Sequence, residues 1–224
     1  MKTFIILNKT NRRVLPEKFQ SDDNRNPENL VEYFLEQYTK KGDTIIDIFA
    51  GLGTMLFVAE ELERIPYGIE YDPSRFAYIK SEIRHKNNII HGDARNLDTF
   101  TFPKIDFAIS SPPYMHELDL DYYALTAYTT GGTYEQYLKE LREIYAKLRN
   151  ILKPNATVVI EVSNLKRKGA KLTTLAWDVA KSISKVLHFE GEVIVGWEGE
   201  DTEEGTYGCG YDHSYCLIFR NRID

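Results

Sequence analysis

Cysteine is scarce in this sequence of 224 residues, which contains only Cys209 and Cys216. Two thiols cannot form the disulfide framework of a small secreted protein, so we expect a reducing, cytoplasmic environment. With His213 the cysteines form the spacing C-x3-H-x2-C, but a fourth ligand at a spacing familiar from zinc sites is missing. We therefore expect a thiol pair packed in a hairpin and no bound metal.

Long apolar runs and an excess of positive charge are also missing. No stretch approaches the roughly 18 apolar residues of a membrane span, so we expect no membrane partner. The first residues hold a short apolar patch without the small-residue cleavage site of a signal peptide. The 28 Lys and Arg residues stand against 34 Asp and Glu residues, which gives a net charge of −6. This charge argues against strong nucleic-acid binding by the whole surface, but it allows a local basic patch.

The sequence does contain a regular alternation of strand and helix patterns, which indicates a parallel sheet covered by helices. Apolar runs predict five strands, at residues 44–49, 67–71, 88–93, 105–110 and 157–162. Two further runs, at residues 190–197 and 214–221, are joined by a loop alone and predict an antiparallel pair at one edge. We therefore predict an α/β fold with a doubly wound, mostly parallel, seven-stranded sheet.

The pattern belongs to a single domain, because no internal repeat or low-complexity linker divides the chain. Residues 1–25 are predicted to form an N-terminal arm, and residues 26–224 the domain itself. At its start, Asn26 is predicted to cap a helix that has Pro27 at its first position.

Acids and glycines stand where the first three predicted strands end. Asp47 is followed by Gly51 and Gly53, Glu70 ends the second strand, and Asp93 ends the third. Because ligands bind beyond the carboxyl ends of parallel strands, these residues share one rim of the sheet. Glycines let a ligand approach the backbone, and a carboxylate can accept both hydroxyls of a ribose. The alternatives are a tight strand-to-helix turn for the glycines and helix caps or solvated loops for the acids.

The fourth predicted strand ends in the segment SPPY, residues 111–114. Neither proline can donate to a strand ladder, so the chain must leave the sheet abruptly there. A stiff loop with carbonyl groups, a hydroxyl and a flat ring suits the binding of a planar group that carries an NH2. The alternative is a plain strand end with two prolines as its stop.

These segments, taken in order, carry a resemblance to a known family. DIFAGLGT, GIEYDP, HGDARNL and ISSPPY resemble the motifs of class I S-adenosylmethionine-dependent methyltransferases, in particular the DNA amino-methyltransferases that act on cytosine-N4 or adenine-N6. The resemblance covers nearly the whole chain, including the final hairpin. It implies a Rossmann-like fold, S-adenosylmethionine as cofactor, and methylation of an exocyclic amino group of a nucleic-acid base, in DNA in preference to RNA.

The resemblance also implies roles for individual residues. Those that would bind the cofactor are Asp47, Phe49, Ala50, Gly51, Gly53, Thr54, Glu70, Asp93, Ala94, Asn26 and Pro27. Those that would hold the target amine are Ser111, Pro112, Pro113 and Tyr114. The Ser111 hydroxyl and the Pro112 carbonyl would accept the two amine hydrogens, and Tyr114 would stack on a base taken out of its helix. Serine in place of the commoner aspartate favours cytosine.

Two further segments are predicted to contact nucleic acid. The loop after SPPY contains Tyr122 and Tyr123, which can stack on bases or, alternatively, pack the loop onto the domain. The segment after the fifth strand contains a run of cations that can contact phosphates, although such a run is also typical of a solvated loop. Its members are Lys166, Arg167, Lys168 and Lys171.

One departure from the family leaves alternatives open. Sequence-specific DNA methyltransferases carry a sizeable target-recognition region, and here only the loop after SPPY and the final hairpin loop can serve. This favours a short or loosely read site, a single strand or a structured RNA. The rivals are a tRNA guanine-N2 methyltransferase, a protein-glutamine methyltransferase, an NAD-dependent dehydrogenase and a non-catalytic cofactor-binding subunit. Ser111 argues against the glutamine enzyme, which normally has asparagine there, and the missing third glycine argues against the dehydrogenase. The oligomeric state is not predicted.

Overall fold

The computed structural model describes residues 2–21, 23, 25–127, 129–167, 169, 171–199 and 205–222. The strands are β1 (Phe4–Asn8), β2 (Thr44–Asp47), β3 (Ile65–Glu70), β4 (Ile89–His91), β5 (Ile105–Ser110), β6 (Leu152–Val162), β7 (His188–Glu198) and β8 (His213–Arg220). The helices are α1 (Glu17–Gln20), α2 (Glu28–Tyr38), α3 (Thr54–Glu61), α4 (Pro73–Glu82), α5 (Tyr134–Ile151) and α6 (Leu175–Ile183).

All eight strands form one sheet in the order β1-β7-β8-β6-β5-β2-β3-β4. Only β8 runs antiparallel to its neighbours, β6 and β7, and the other pairs are parallel. The predicted doubly wound α/β fold is therefore confirmed, including the antiparallel pair formed by the last two strands.

The sheet has one strand more than the seven predicted. The apolar patch near the N-terminus, predicted to belong to an arm, forms β1 and pairs in parallel with β7, with Ile6 opposite Gly196. The side chain of Ile5 is buried, whereas Phe4 and Ile6 are exposed. Such an alternation of buried and exposed side chains is typical of a strand that packs one face on the core. The segment is too short for its sequence pattern to identify the strand with which it pairs.

The central strands are buried on both faces, as their continuous apolar runs predicted. On one face, Ile45 of β2 and Phe107 of β5 pack with Phe34 of α2. On the other face, residues that alternate with these along the same strands pack with α5 and α6. The sheet is thus a rigid layer between two helical layers.

The predicted start of the first long helix is wrong by one residue. Asn26 does not cap α2, and Pro27 lies in extended conformation just before its first residue, Glu28. The Glu28 carboxylate is buried and accepts the backbone N–H of Arg13 at 2.9 Å. The segment before α2 therefore folds back over the helix start, a contact between distant residues that the local pattern could not reveal.

The chain order creates a switch point between β2 and β5. From β2 the chain proceeds outward through β3 and β4, then crosses back to place β5 on the other side of β2. Connections on the two sides of such a point diverge and leave a crevice beyond the strand ends. The segments after β2 and β5, which contain the glycines and SPPY, flank this crevice. No helix in the described ranges is long and apolar enough to cross a membrane.

Candidate active site

The turn from β2 into α3 presents its backbone to the crevice. Gly51 and Gly53 have φ of +56° and +82°, values in the left-handed region that glycine tolerates without strain. A Cβ added to Gly51 would meet nothing closer than 3.9 Å, so this position leaves room for a ligand. At Gly53 a Cβ would come within 2.9 Å of the Ile79 side chain, so this glycine serves the packing of the turn.

Two buried carboxylates border this turn. Asp47, only 2% exposed, ends β2 and accepts the Phe49 N–H at 3.0 Å. Burial raises the pKa of Asp47 to about 8; the bond from Phe49 opposes the rise and the nearby Glu70 carboxylate adds to it.

Glu70, at the end of β3, links the strand ends. Its Oε2 accepts the Gly51 N–H at 2.6 Å, and its Oε1 accepts the Asp72 N–H at 2.8 Å. Burial raises the pKa of Glu70, and the bonds from Asp72 and Gly51 oppose the rise. The carboxylate is therefore fixed against the turn, with lone pairs left on both oxygens for a ligand's hydroxyl groups.

Asp93 caps a short helix, and its predicted role at the adenine stays a prediction. It precedes a short 3-10 helix at Ala94–Thr99, and its carboxylate forms an ion pair with Arg95, with oxygen–nitrogen distances down to 2.6 Å. The helix-cap alternative is thus what the structure shows for Asp93, which also accepts the Arg95 backbone N–H. Ala94 is buried beside it.

The SPPY loop leaves β5 on the other side of the crevice. The Pro113 carbonyl accepts the hydroxyl of Tyr137 from α5 at 2.9 Å, which fixes the loop from below. No backbone donor in the described ranges bonds to the Pro112 carbonyl. Ser111 and Tyr114 instead direct their hydroxyl groups to a carboxylate that the sequence analysis did not identify.

That carboxylate is Glu161 of β6, which is fully buried. Its Oε2 accepts the Ser111 hydroxyl at 3.0 Å and the Tyr114 hydroxyl at 3.1 Å. Its Oε1 accepts the Tyr207 hydroxyl at 2.8 Å, and the two tyrosine oxygens are 2.7 Å apart. We call Glu161, Ser111, Tyr114 and Tyr207 the hydroxyl network.

A pocket of about 540 Å³ opens beside Tyr114. Its lining includes Tyr114, His116, Asp119, Tyr122, Lys166 and Arg167. Three of the predicted nucleic-acid contacts, Tyr122, Lys166 and Arg167, thus lie together beside the predicted amine-binding loop.

Several solved structures share this fold. TrmN from Thermus thermophilus superposes with a TM-score of 0.61 at 15% identity, over 91% of this chain and 51% of its own. A methyltransferase from Pyrococcus furiosus superposes with a TM-score of 0.55 at 16% identity, over 88% of this chain and 84% of its own. A SAM-dependent methyltransferase from Methanosarcina mazei superposes with a TM-score of 0.56 at 11% identity, over 85% of this chain and 98% of its own. This chain spans about half of the T. thermophilus protein, 51% of its length, and at these identities the likeness establishes the fold.

Sequence comparison adds the family. Residues 7–81 match the family model described as DNA methylase, and this segment contains Asp47, Gly51, Gly53 and Glu70. This segment is similar to the DNA methylases, and the whole chain has the fold of S-adenosylmethionine-dependent methyltransferases. Both findings agree with the predicted enzyme class and cofactor. Among curated proteins, no sequence matches the chain.

The donor set at this turn fits S-adenosylmethionine. S-adenosylmethionine carries positive charge on its ammonium and sulfonium groups and two hydroxyls on its ribose. Asp47 and Glu70 are buried carboxylates, and the raised pKa of each reflects burial without a direct ion pair among the described residues. A cationic ligand with hydroxyl donors would stabilise both, so these two residues, with Gly51, are suited to hold it.

Several predicted site residues are not brought to the crevice or the pocket by any described contact. Tyr123 is only 2% exposed and packs in the core, so its prediction as a stacking residue is wrong; Tyr122, at 57%, is accessible. Lys171 pairs with Glu117 at 3.1 Å, and Lys168 lies outside the described residues. No described contact joins Asn26 or Pro27 to the turn after β2, so their role at the cofactor stays a prediction.

Proposed function

We propose that this protein is an S-adenosylmethionine-dependent methyltransferase that acts on an exocyclic amino group of a nucleic-acid base, in DNA at cytosine-N4 or adenine-N6. The observation that carries the proposal is the meeting of three features at one switch point. The cofactor turn follows β2, the SPPY loop follows the adjacent strand β5, and the pocket with two cations adjoins Tyr114. The scarcity of cysteine, with only Cys209 and Cys216 in the sequence, fits a reducing cytoplasm as the place of this reaction.

The reaction requires that a poor nucleophile be held correctly. An amine on a base donates its lone pair into the ring, and acceptors for both of its hydrogens turn the lone pair outward. The Ser111 hydroxyl donates its own proton to Glu161, so its oxygen is left as an acceptor. The Pro112 carbonyl supplies the second acceptor, and positioning then does much of the catalysis, because S-adenosylmethionine supplies the methyl group on a sulfonium, a good leaving group.

His116 gives the pocket a donor for the substrate. The side chain is fully buried, its Nδ1 accepts the Leu118 N–H at 3.1 Å, and Nε2 therefore carries the proton. That Nε2 has no hydrogen-bond partner among the described residues. A buried donor without an acceptor costs about 1–3 kcal/mol. Because Nε2 is closed off from solvent, an acceptor atom of a bound base removes this cost only if the pocket wall at His116 shifts when the substrate binds.

Replacement of His116 by asparagine tests this contact. Asparagine can still accept the Leu118 N–H but lacks a group at the position of Nε2. We expect the KM for the nucleic acid to rise about 10-fold, with KM for S-adenosylmethionine unchanged. The control is His188→Asn, at the opposite end of the sheet, and equal KM values for the two variants would remove His116 from the substrate site.

Lys166 is the cation best placed to contact a phosphate. Arg167 forms a two-pronged ion pair with Asp119 at 2.6 and 3.0 Å, whereas the Lys166 ammonium lies 4.2 Å from the centre of the Tyr211 ring. A lysine that neutralises one phosphate contributes about one unit to the slope of log K against log salt. Lys166→Gln should therefore lower this slope by about one, measured by fluorescence anisotropy of labelled DNA, while Lys185→Gln leaves it unchanged.

The family match favours DNA, and a direct comparison of polymers tests that preference. Tritiated S-adenosylmethionine is incubated with the protein and either genomic DNA or total RNA, and the label retained on each polymer is counted. We expect label on DNA, and label on RNA alone would assign the activity to RNA. Retention on neither, with S-adenosylmethionine bound, would reject a nucleic-acid acceptor. Titration with NAD in the same buffer separates a dehydrogenase, which would bind NAD alone.

A further inference from the structure

Glu161 is a buried carboxylate that the reaction described above uses only as a partner of Ser111. Its side chain is 0% exposed. Hydroxyl donors offset part of the cost of burying this carboxylate, and no lysine or arginine of the described residues forms an ion pair with it. Burial of an unpaired carboxylate is expensive, so such a group next to a reaction centre marks a functional role.

We propose that Glu161 is a positioning residue for methyl transfer, which directs the Ser111 oxygen to the target amine and takes up the proton that the amine loses. The inference rests on the proposed function, because it assumes that Ser111 contacts an amine. Its geometric basis is the 3.0 Å contact between Ser111 Oγ and Glu161 Oε2.

The proton can move along this contact with atoms and charges balanced. The new bond forms between the amine nitrogen and the methyl carbon, and the carbon–sulfur bond breaks with its electron pair retained by sulfur. The nitrogen, now positively charged, gives a proton to Ser111 Oγ as the Ser111 proton passes to Glu161 Oε2. The base is then neutral and methylated, Ser111 is unchanged, and Glu161 is a neutral acid.

The hydroxyl network can hold that extra proton. Ser111, Tyr114, Tyr207 and Ser214 bring hydroxyl groups to Glu161, and the two tyrosine oxygens are 2.7 Å apart. With Glu161 ionised, each of these hydroxyls can donate to the carboxylate, and neither tyrosine then has a proton left for the contact between them. Protonation of Glu161 supplies the missing proton, so the network can take up a proton without movement of its heavy atoms.

The environment of Glu161 sets the direction of its pH dependence. Burial raises the pKa of Glu161, and bonds from its hydroxyl partners oppose the rise. The groups that face it are Ser111, Tyr114, Tyr207, Ser214, Cys216 and, as the cation, Lys9. Burial also raises the pKa values of Tyr114, Tyr207 and Cys216, so these groups stay neutral. Because the relay needs an ionised Glu161, kcat should increase as pH rises through its pKa.

The test compares kcat against pH for the wild type, Glu161→Gln, Glu161→Asp and Tyr207→Phe. Glu161→Gln keeps the shape but cannot ionise, so kcat should fall about 100-fold and lose its acidic limb. Glu161→Asp should recover part of the rate together with the limb. Tyr207→Phe keeps the carboxylate but removes a donor to it, which should shift the limb to higher pH.

Controls separate this role from a structural one. Glu190→Gln makes the same change in a carboxylate at the opposite end of the sheet, where it pairs with Arg220, and it should leave kcat unchanged. The affinity for S-adenosylmethionine should stay within about two-fold in every variant. An active wild type with a Glu161→Gln variant of equal kcat and the same acidic limb would overturn this inference alone. A wild type that methylates no base amine would reject the proposed function and this inference with it.

Discussion

Ser111→Ala is expected to lower kcat for methyl transfer by about 100-fold, since it removes the acceptor that orients the amine. The proposed cofactor-binding turn, residues 48–53, follows β2, and none of its described hydrogen bonds includes Ser111. The affinity for S-adenosylmethionine should therefore change by less than about two-fold. The measurement is single-turnover methyl transfer together with calorimetric titration of the cofactor.

Ser110→Ala is the matched control for this prediction. Ser110 is the neighbouring residue, and its buried hydroxyl contacts the Tyr145 hydroxyl at 3.1 Å on α5, away from Glu161. Its loss removes a buried hydrogen bond worth about 1 kcal/mol of stability, as does Ser111→Ala, but should leave the rate intact. If both variants lost rate equally, or if Ser111→Ala weakened cofactor binding as much as catalysis, Ser111 would have a structural role.

Glu70→Gln should have the converse effect and weaken S-adenosylmethionine binding by about 10- to 100-fold. The carboxylate accepts N–H groups from both Gly51 and Asp72, and it is proposed to accept the ribose hydroxyls as well. A glutamine places an NH2 donor against one of these N–H groups, so it disturbs the turn and loses an acceptor for the ligand.

The control for the cofactor titration is a variant of a second acid on the same side of the sheet. Glu82 lies at the end of α4, exposed to solvent, so Glu82→Gln should bind S-adenosylmethionine as the wild type does. With saturating cofactor, the Glu70→Gln variant should recover much of its kcat. An unchanged dissociation constant for Glu70→Gln would remove Glu70 from the ribose site.

Seven of the eight strands in the described ranges could be predicted from the sequence because each carried its own apolar signal. Asp47, Glu70 and Ser111 each stand at or just after the end of an apolar run, and a parallel sheet collects strand ends on one rim. Their proximity therefore followed from the fold class, without knowledge of any side-chain contact. The extra strand β1 escaped because a short edge strand carries too little pattern to name its partner.

The carboxylate behind Ser111 was missed for a different reason. Glu161 lies in a run that was identified only as an apolar strand, yet a single acid within a strand buried on both faces is itself a signal. That signal would have indicated a buried polar partner. The partner Tyr207 belongs to a loop far along the chain and shows no pattern, so only the folded structure brings it to Glu161.

The two tyrosines in the loop after SPPY differ in burial, and their local sequence could not predict this difference. Tyr122 and Tyr123 are adjacent and identical in chemistry, yet one is accessible at the pocket and the other is buried in the core. Outside a strand or helix no periodicity tells the two faces apart, so the sequence could not distinguish them. The same holds for Arg167, whose pairing with Asp119 depends on the path of two loops.

The position of the transferred methyl group tests the central claim most directly. Genomic DNA is treated with the protein and S-adenosylmethionine that carries an isotopically labelled methyl group, digested to nucleosides and examined by mass spectrometry. We expect label on an exocyclic nitrogen, as N4-methyl-deoxycytidine or N6-methyl-deoxyadenosine, and almost none with Ser111→Ala. Label on a ring carbon, or on a protein side chain with none on any base, would contradict it.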